Sequence, residues 1–327
     1  MYTRLGEATL KSGEPMEVGV VLGPDADWLP RVVPFLGHKN PDTRAHIFQS
    51  LEQDLDRLEN RYYVGTVDGR IVSQIMIVGN RGAGILGHVF THPEERRKGA
   101  CSLIMGFQMA HTQAEGFRVL CLGTGFDTHP YWIYHSYGFR GIVEGSGQMM
   151  WREHAGIEEE LFRAAPTSVR DVRWDDWGYF DLLAFQPAGE NEELPRCPTM
   201  GLKAQGSLEG PFTSFQLRRQ REPQIQAKAL ESETGATVGW GLLAPDTRWF
   251  RDVWLLDLHA HPHFADRLPE LTASLSWPDA PVVAYVTEPR GPKAAALEQC
   301  GFRPAATLPD WLVTGGLRRS ATLWRNG

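Results

Sequence analysis

Apolar positions recur along the chain in two spacings, one of two residues and one of three to four. Met16 to Val21 alternates and predicts a first strand. Trp28 to Leu36 is apolar but carries Pro30 and Pro34, which predicts a short or broken helix. From Asp42 to Leu58, Ile47, Leu51, Leu55 and Leu58 share one helical face, and Asn40 or Asp42 is placed to cap it. Tyr62 to Val67 and Ile71 to Val78 flank Asp68-Gly69, the favoured two-residue turn of a hairpin. Ile85 to Phe90 predicts a strand and Ser102 to Ala114 an apolar helix. Val119 to Leu122 reads as a buried strand, Tyr131 to Tyr137 as a short helix, and Phe139 to Trp151 as two closing strands.

After Gly156 to Thr167, an acidic, Ala-rich stretch with Pro166, the pattern starts again. Val169 to Trp177 echoes Met16 to Trp28, and Gly235 to Leu243 predicts a strand. Leu255 to Pro262 echoes Leu86 to Pro93, and Val282 to Val286 echoes Val119 to Leu122. Cys300-Gly301-Phe302-Arg303 echoes Tyr137-Gly138-Phe139-Arg140, and Thr322-Leu323-Trp324 echoes Met149-Met150-Trp151. Echoes kept in one order predict two tandem copies of one fold. The division is residues 1–155, a linker over 156–168, and residues 169–327.

Composition narrows the function classes. With 327 residues, 42% hydrophobic and 22% charged, the chain is sized for two packed domains. No apolar run approaches the roughly 18 residues of a membrane span. Met1 to Gly13 lacks the layout of a signal peptide. The cysteines Cys101, Cys121, Cys197 and Cys300 are scattered, without metal or redox spacing, and predict reduced thiols in a cytoplasmic protein. A net charge of −7 argues against broad nucleic-acid binding and mildly favours a cationic encounter partner. Most of the 11 tryptophans belong in the core on this reading.

The chemistry concentrates in Val89 to Cys101. A strand ends at Pro93, a basic loop follows as Glu94-Glu95-Arg96-Arg97-Lys98-Gly99-Ala100-Cys101, and an apolar helix begins. Unpaired N–H groups and the dipole at such a helix start favour an anion. Downstream, Tyr134 stands four residues before Gly138-Phe139. Together these stretches resemble the acyl-CoA-binding core of the GNAT superfamily of N-acyltransferases.

The resemblance implies an α/β (α+β) chain of two GNAT-like domains, each a mixed, mainly antiparallel sheet flanked by helices. It implies acetyl-CoA as acyl donor, with no metal. Backbone N–H groups from Arg97 to Ser102, namely through Lys98, Gly99, Ala100 and Cys101, would hold the pyrophosphate, and Arg96, Arg97 and Lys98 would add positive charge. Cys101 departs from the small residue the family carries there. Val89, Phe90 and Thr91 would lie on the strand that splays from its neighbour and pairs with pantetheine. The N–H of Phe90 or Thr91 would polarise the thioester carbonyl. Tyr134 would protonate the leaving thiolate, with Tyr137 as the alternative, and Asp127 matches a cofactor-contacting position weakly.

No carboxylate stands where many relatives carry a base. His88, His129, Glu144 or a chain of waters are the candidates, and His92 reads as structural. Phe35, His38 and the segment Glu144 to Gln148 are the expected acceptor contacts. Small amines, aminoglycosides, amino acids and protein N-termini all remain open as acceptors.

The second copy lacks these groups. Aligned on Pro262, Ala265 falls at the Arg96 position and Leu268 at the Gly99 position, with Pro269 following. Leu297 stands at the tyrosine position. This copy is therefore expected to bind no CoA, and to wall the acceptor pocket, form a homodimer interface or dock a partner. The alternation of His259, His261 and His263 follows from the repeat and offers no fourth metal ligand. Two other functions stay in view: a non-catalytic acyl-CoA-binding module, and decarboxylation of an acyl-CoA on the same scaffold.

Overall fold

The computed structural model describes all residues except 81, 188–191, 203–205, 250–251, 289, 315–316 and 327. Two units divide it: Met1–Ile157 with Arg173–Gly178, and Glu158–Val172 with Tyr179–Gly327.

The first unit begins with a hairpin of β1 (Tyr2–Thr9) and β2 (Pro15–Leu22). β1 does not figure in the sequence pattern because it is an edge strand with half-buried and exposed positions and no apolar run. Helix α1 (Leu29–Phe35) contains Pro34 and is correspondingly short. Helix α2 (Pro41–Glu52) is capped by Asn40, whose side chain accepts from the Thr43 N–H at 2.9 Å. It stops six residues before Leu58. Leu55 and Leu58 are buried from the following loop, so the expected helix to Leu58 is too long.

Strands β3 (Glu59–Val67) and β4 (Arg70–Gly79) turn at Asp68-Gly69, both with positive φ, as that tight turn requires. Then follow β5 (Ala83–Thr91), α3 (Ala100–Ala114), β6 (Val119–Gly123), α4 (His129–Ser136), β7 (Arg140–Gly141) and β8 (Gln148–Arg152). The sheet order is β1-β2-β3-β4-β5-β6-β8-β7, and only the β5–β6 pair is parallel. Met16, Tyr63, Ile75, Leu86, Ile104, Met105 and Leu120 pack between the sheet and α3.

Arg173–Gly178 packs with this unit. The Trp174 N–H donates to the Asp56 carboxylate at 2.8 Å. His46, fully buried on α2, lies between Trp174 at 5.3 Å and Trp177 at 5.0 Å. A Cβ at Gly178 would fall 2.1 Å from the Ala83 carbonyl oxygen, so only glycine fits.

Part of the stretch expected as a linker is helical, because α5 (Ile157–Leu161) buries Ile157 and Leu161. The second unit contains β9 (Thr167–Asp171), most of α6 (Trp177–Ala184), α7 (Glu209–Arg221), β10 (Gln226–Ser232), β11 (Thr237–Pro245) and β12 (Trp254–Ala260). It continues through α8 (Leu268–Ala273), β13 (Val282–Thr287), α9 (Pro292–Gln299), β14 (Phe302–Thr314) and β15 (Leu317–Asn326). Its order, β14-β15-β13-β12-β11-β10-β9, is that of β7-β8-β6-β5-β4-β3-β2, again with one parallel pair, β12–β13. The repeat seen in the sequence is thus a repeat of topology. No helix among the described residues is long and apolar enough to cross a membrane.

Candidate active site

β5 and β6 diverge. Their parallel pairing covers only Ala83–Ile85 against Val119–Cys121, although β5 runs on to Thr91 and β6 to Gly123. A bulge helps turn β5 away. Gln74 faces Phe90 and Met76 faces Gly87, so His88 and Val89 together oppose Ile75. His88 takes the left-handed φ of +49° that this geometry needs. The neighbouring strand clamps the diverging segment. The Gln74 side-chain amide donates to the His88 carbonyl at 2.8 Å, and the Ser73 hydroxyl donates to the Phe90 carbonyl at 3.3 Å. Ser73 also bonds the Thr91 hydroxyl at 2.8 Å. Both clamping residues are fully buried. The sequence carried a signal for them, since Ser73-Gln74 is the polar interruption in an otherwise apolar strand.

The loop into α3 is built around Glu95. Its carboxylate receives Arg70 at 2.7 Å and Lys98 at 2.9 Å. The Lys98 hydrogen bond, followed by that of Arg70, outweighs the loss of hydration and holds the carboxyl below its usual range. Lys98 also lies 3.6 Å from Glu14, and its carbonyl accepts from the Lys11 N–H. Its ammonium is therefore engaged by two carboxylates. Arg96 turns back so that its Nε donates to the Thr91 carbonyl at 3.3 Å. Arg97 is exposed and has a φ of +67°.

Gly99 stands at the N-cap of α3 with φ +89° and ψ 0°, and no side chain caps the helix. The first-turn N–H groups of Ala100, Cys101 and Ser102 thus face outward from a helix start without an internal acceptor. Burial pushes the Cys101 thiol up to about 11, which leaves it protonated and unreactive at neutral pH.

Tyr134 lies on α4 at 6% exposure, edge-on to Phe139 at 6.1 Å. Its carbonyl accepts from the Tyr137 and Phe139 N–H groups. The Tyr137 hydroxyl donates to the Ser102 carbonyl at 2.7 Å, tying the end of α4 to the first turn of α3. Asp127 accepts from the Trp132 indole at 2.8 Å, which occupies an oxygen expected to serve the cofactor.

Phe35 and His38 do come together, both against Phe90, with ring centroids at 5.1 and 4.0 Å. Glu144 is exposed in the turn between β7 and β8. His129 begins α4 and is exposed as well. Burial lowers His88 to about 4, with Lys39 and His38 adding to the effect, so its imidazole is neutral at pH 7. In the second unit His261 stacks on Phe162 at 4.7 Å, and His263 Nδ1 meets the Phe162 carbonyl at 2.9 Å.

No protein-family model matches the sequence, and no curated protein is similar enough to count as a match. Solved structures do resemble the chain. A candidate N-acyltransferase of unknown function from Enterococcus faecalis V583 is 12% identical, with 95% of this chain and 72% of that one covered, at a TM-score of 0.39. The candidate acetyltransferase yncA from Salmonella typhimurium, solved with acetyl-CoA, is 13% identical, covering 49% and 92%, at 0.34. A phosphinothricin acetyltransferase from Sinorhizobium meliloti, also with acetyl-CoA, is 12% identical, covering 49% and 87%, at 0.35. At such identities and scores, the case for the site rests on the chain's own topology. Among the described residues, the repeated strand order, with one parallel pair in each otherwise antiparallel sheet, gives the chain a tandem architecture of two α/β units of like topology.

Proposed function

We propose that the chain is an acetyl-CoA-dependent N-acetyltransferase whose first unit carries the reaction. The observation that carries this reading is the divergence of β5 from β6, followed within one loop by the uncapped, glycine-led start of α3. Strand edges without a backbone partner can pair with the amides of an extended chain, and an open helix start suits a pyrophosphate. Pantetheine and pyrophosphate occur in that sequence in CoA.

On this reading Val89 to Thr91 pair with pantetheine, and a backbone N–H of Phe90 or Thr91 meets the developing oxyanion. A donor so placed supplies about 3–4 kcal/mol in acyl transfer. The N–H groups from Arg97 to Ser102 hold the pyrophosphate, and the Arg97 guanidinium adds charge. The role of Lys98 is to fix the loop through Glu95. Tyr134 protonates the thiolate as the amine displaces it. Tyr137 is less suited, because its hydroxyl already serves the Ser102 carbonyl.

The amine attacks directly in a ternary complex, on the side of Phe90 lined by Phe35 and His38. His88, being neutral, can pass the ammonium proton onward. Its low basicity makes it a relay to water rather than a final acceptor.

The second unit binds no CoA. Leu268 and Leu297, at the positions of Gly99 and Tyr134, are both buried side chains. Pro269 removes a donor from the start of α8. A role at a homodimer interface or against a partner is compatible with this.

Calorimetric titration with acetyl-CoA, followed by thiol release across an amine panel, tests the reading. One site per chain, abolished by Gly99→Glu, with amine-dependent release, is expected. Binding without release under any amine would favour a regulatory acyl-CoA module, and absence of binding would overturn the reading.

A further inference from the structure

The second unit repeats the divergence of its parallel strands. β12 pairs with β13 only over Trp254–Leu256 against Val282–Ala284, while β12 continues to Ala260 and β13 to Thr287. What lies at the two diverging edges is the chain itself. Arg196 donates to the Tyr285 carbonyl at 2.5 Å. Glu193 accepts from the Thr287 N–H at 3.0 Å, and the Leu194 N–H donates to the Thr287 hydroxyl at 3.3 Å. On the other edge, the Thr199 N–H donates to the Asp257 carboxylate at 2.5 Å, and the Cys197 thiol lies 3.7 Å from it. Lys293, on the first turn of α9, reaches Glu193 at 3.3 Å.

These groups are taken out of water. Arg196 is 3% exposed, Asp257 3% and Lys293 4%. Burial pushes the Glu193 carboxyl up, but Lys293 and Arg196 beside it prevail and hold it at about 2. Burial of this kind is tolerated only where partners are close and fixed, and removing one partner strands the other. The contacts reach the backbone of β13 at Tyr285 and Thr287, the Thr287 hydroxyl, and the Asp257 side chain of β12, so the segment bridges the two diverging strands.

We propose that residues 193–200 are a built-in occupant of the second unit's cleft, an internal strap that closes it to acyl-CoA or any other extended ligand. This rests on the tandem GNAT-like fold and is independent of whether the first unit is an enzyme. The motif differences at Leu268 and Leu297 remove the ligand's anchors, and the strap fills the space the ligand would need. The Tyr285 carbonyl and the Thr287 N–H, the β13 groups an extended ligand would pair with, are already taken.

Amide hydrogen exchange of the full chain, read with and without saturating acetyl-CoA, tests this. The Leu194, Thr199 and Thr287 amides are expected among the slowest of the second unit, unchanged by the ligand. Alkylation of Cys197 in the native chain should be at least about 100-fold slower than in urea. Lys293→Met should speed Cys197 alkylation by about tenfold or more, and exchange at Thr287 with it. Exchange of these amides at loop-like rates in the unaltered chain would overturn the proposal without any variant. So would acyl-CoA binding that survives Gly99→Glu. If the unaltered chain binds no acetyl-CoA while the three amides stay protected, the enzyme reading fails and the strap stands.

Discussion

The side-chain amide of Gln74 donates to the backbone carbonyl of His88 at 2.8 Å, across a bulge where His88 holds a φ of +49°. A buried side chain on one strand thereby fixes the bend of the next. Gln74→Leu keeps the volume and leaves the carbonyl unmet, at a cost of about 1–3 kcal/mol. The expected outcome is a lower denaturation midpoint and weaker acetyl-CoA affinity together, measured by urea melts and calorimetry. Full stability and affinity would show that the clamp is dispensable.

The basic loop divides into a ligand side and a structural side. Arg97→Ala is expected to weaken acetyl-CoA binding and flatten its salt dependence. Lys98→Ala is expected to leave affinity within about twofold and to lower thermal stability, since Lys98 serves Glu95 and Glu14. Titrations at two ionic strengths separate the two variants, and equal losses of affinity would contradict the division.

Gly99→Ala tests the helix start without adding charge. Its new Cβ would meet Lys11 at an ordinary 3.6 Å, so the cost is the left-handed φ of +89° and is about 1–2 kcal/mol. A drop in acetyl-CoA affinity exceeding the loss in stability is the expected result. A stability loss alone would make Gly99 only a turn residue.

Tyr134→Phe removes a hydroxyl and keeps the ring against Phe139. A general acid contributes about 10²–10⁴-fold, so kcat should fall by that range while acetyl-CoA affinity holds. The loss should be smaller with acyl donors that release a more acidic thiol. Unchanged kcat at every pH would exclude Tyr134 from the chemistry.

Histidines make both units acid-sensitive. His46 in the first and His259 in the second are fully buried, and burial lowers each to about 3 from an ordinary 6.5. The unfolded chain therefore takes up these protons first. Stability from these groups is complete above pH 6.5 and is lost as pH falls toward about 3, by about 1.4 kcal/mol per pH unit per proton. Urea melts at pH 7 and pH 5 measure this, and His46→Gln should flatten the slope of the first unit by up to one proton. Activity should behave differently. With His88 lowered to about 4, kcat/KM should rise with pH as the amine deprotonates, with no break near 6.5.

Much of the fold was legible because its signals are local. Asp68-Gly69 admits one kind of turn, Asn40 caps α2 from three residues away, and the apolar runs of β5, β6, β12 and β13 mark buried strands wherever they occur. The repeat could be read because equal topology keeps the apolar runs in the same order. The glycine-led helix start was likewise visible in the order of residues, whereas Phe35 and His38 were expected as acceptor contacts only from the family resemblance, and their meeting at Phe90 came with the structure.

What the sequence left open depends on partners distant in sequence. β1 is a strand because β2 offers it an edge, and α2 stops at Glu52 because Leu55 and Leu58 find burial from a loop. Lys98 pairs with Glu95 and Glu14 because the β1–β2 turn comes beside it. Residues 193–200 show no periodicity at all. Their place in the second cleft is set by ion pairs and hydrogen bonds reaching from Glu193 to Lys293, and from Thr199 to Asp257. Periodicity and turn chemistry are properties of neighbours in the chain, so the sequence by itself determined the elements and their order. The pairing of buried charges is a property of neighbours in space, and only the tertiary structure could decide which cleft stays open and which is filled.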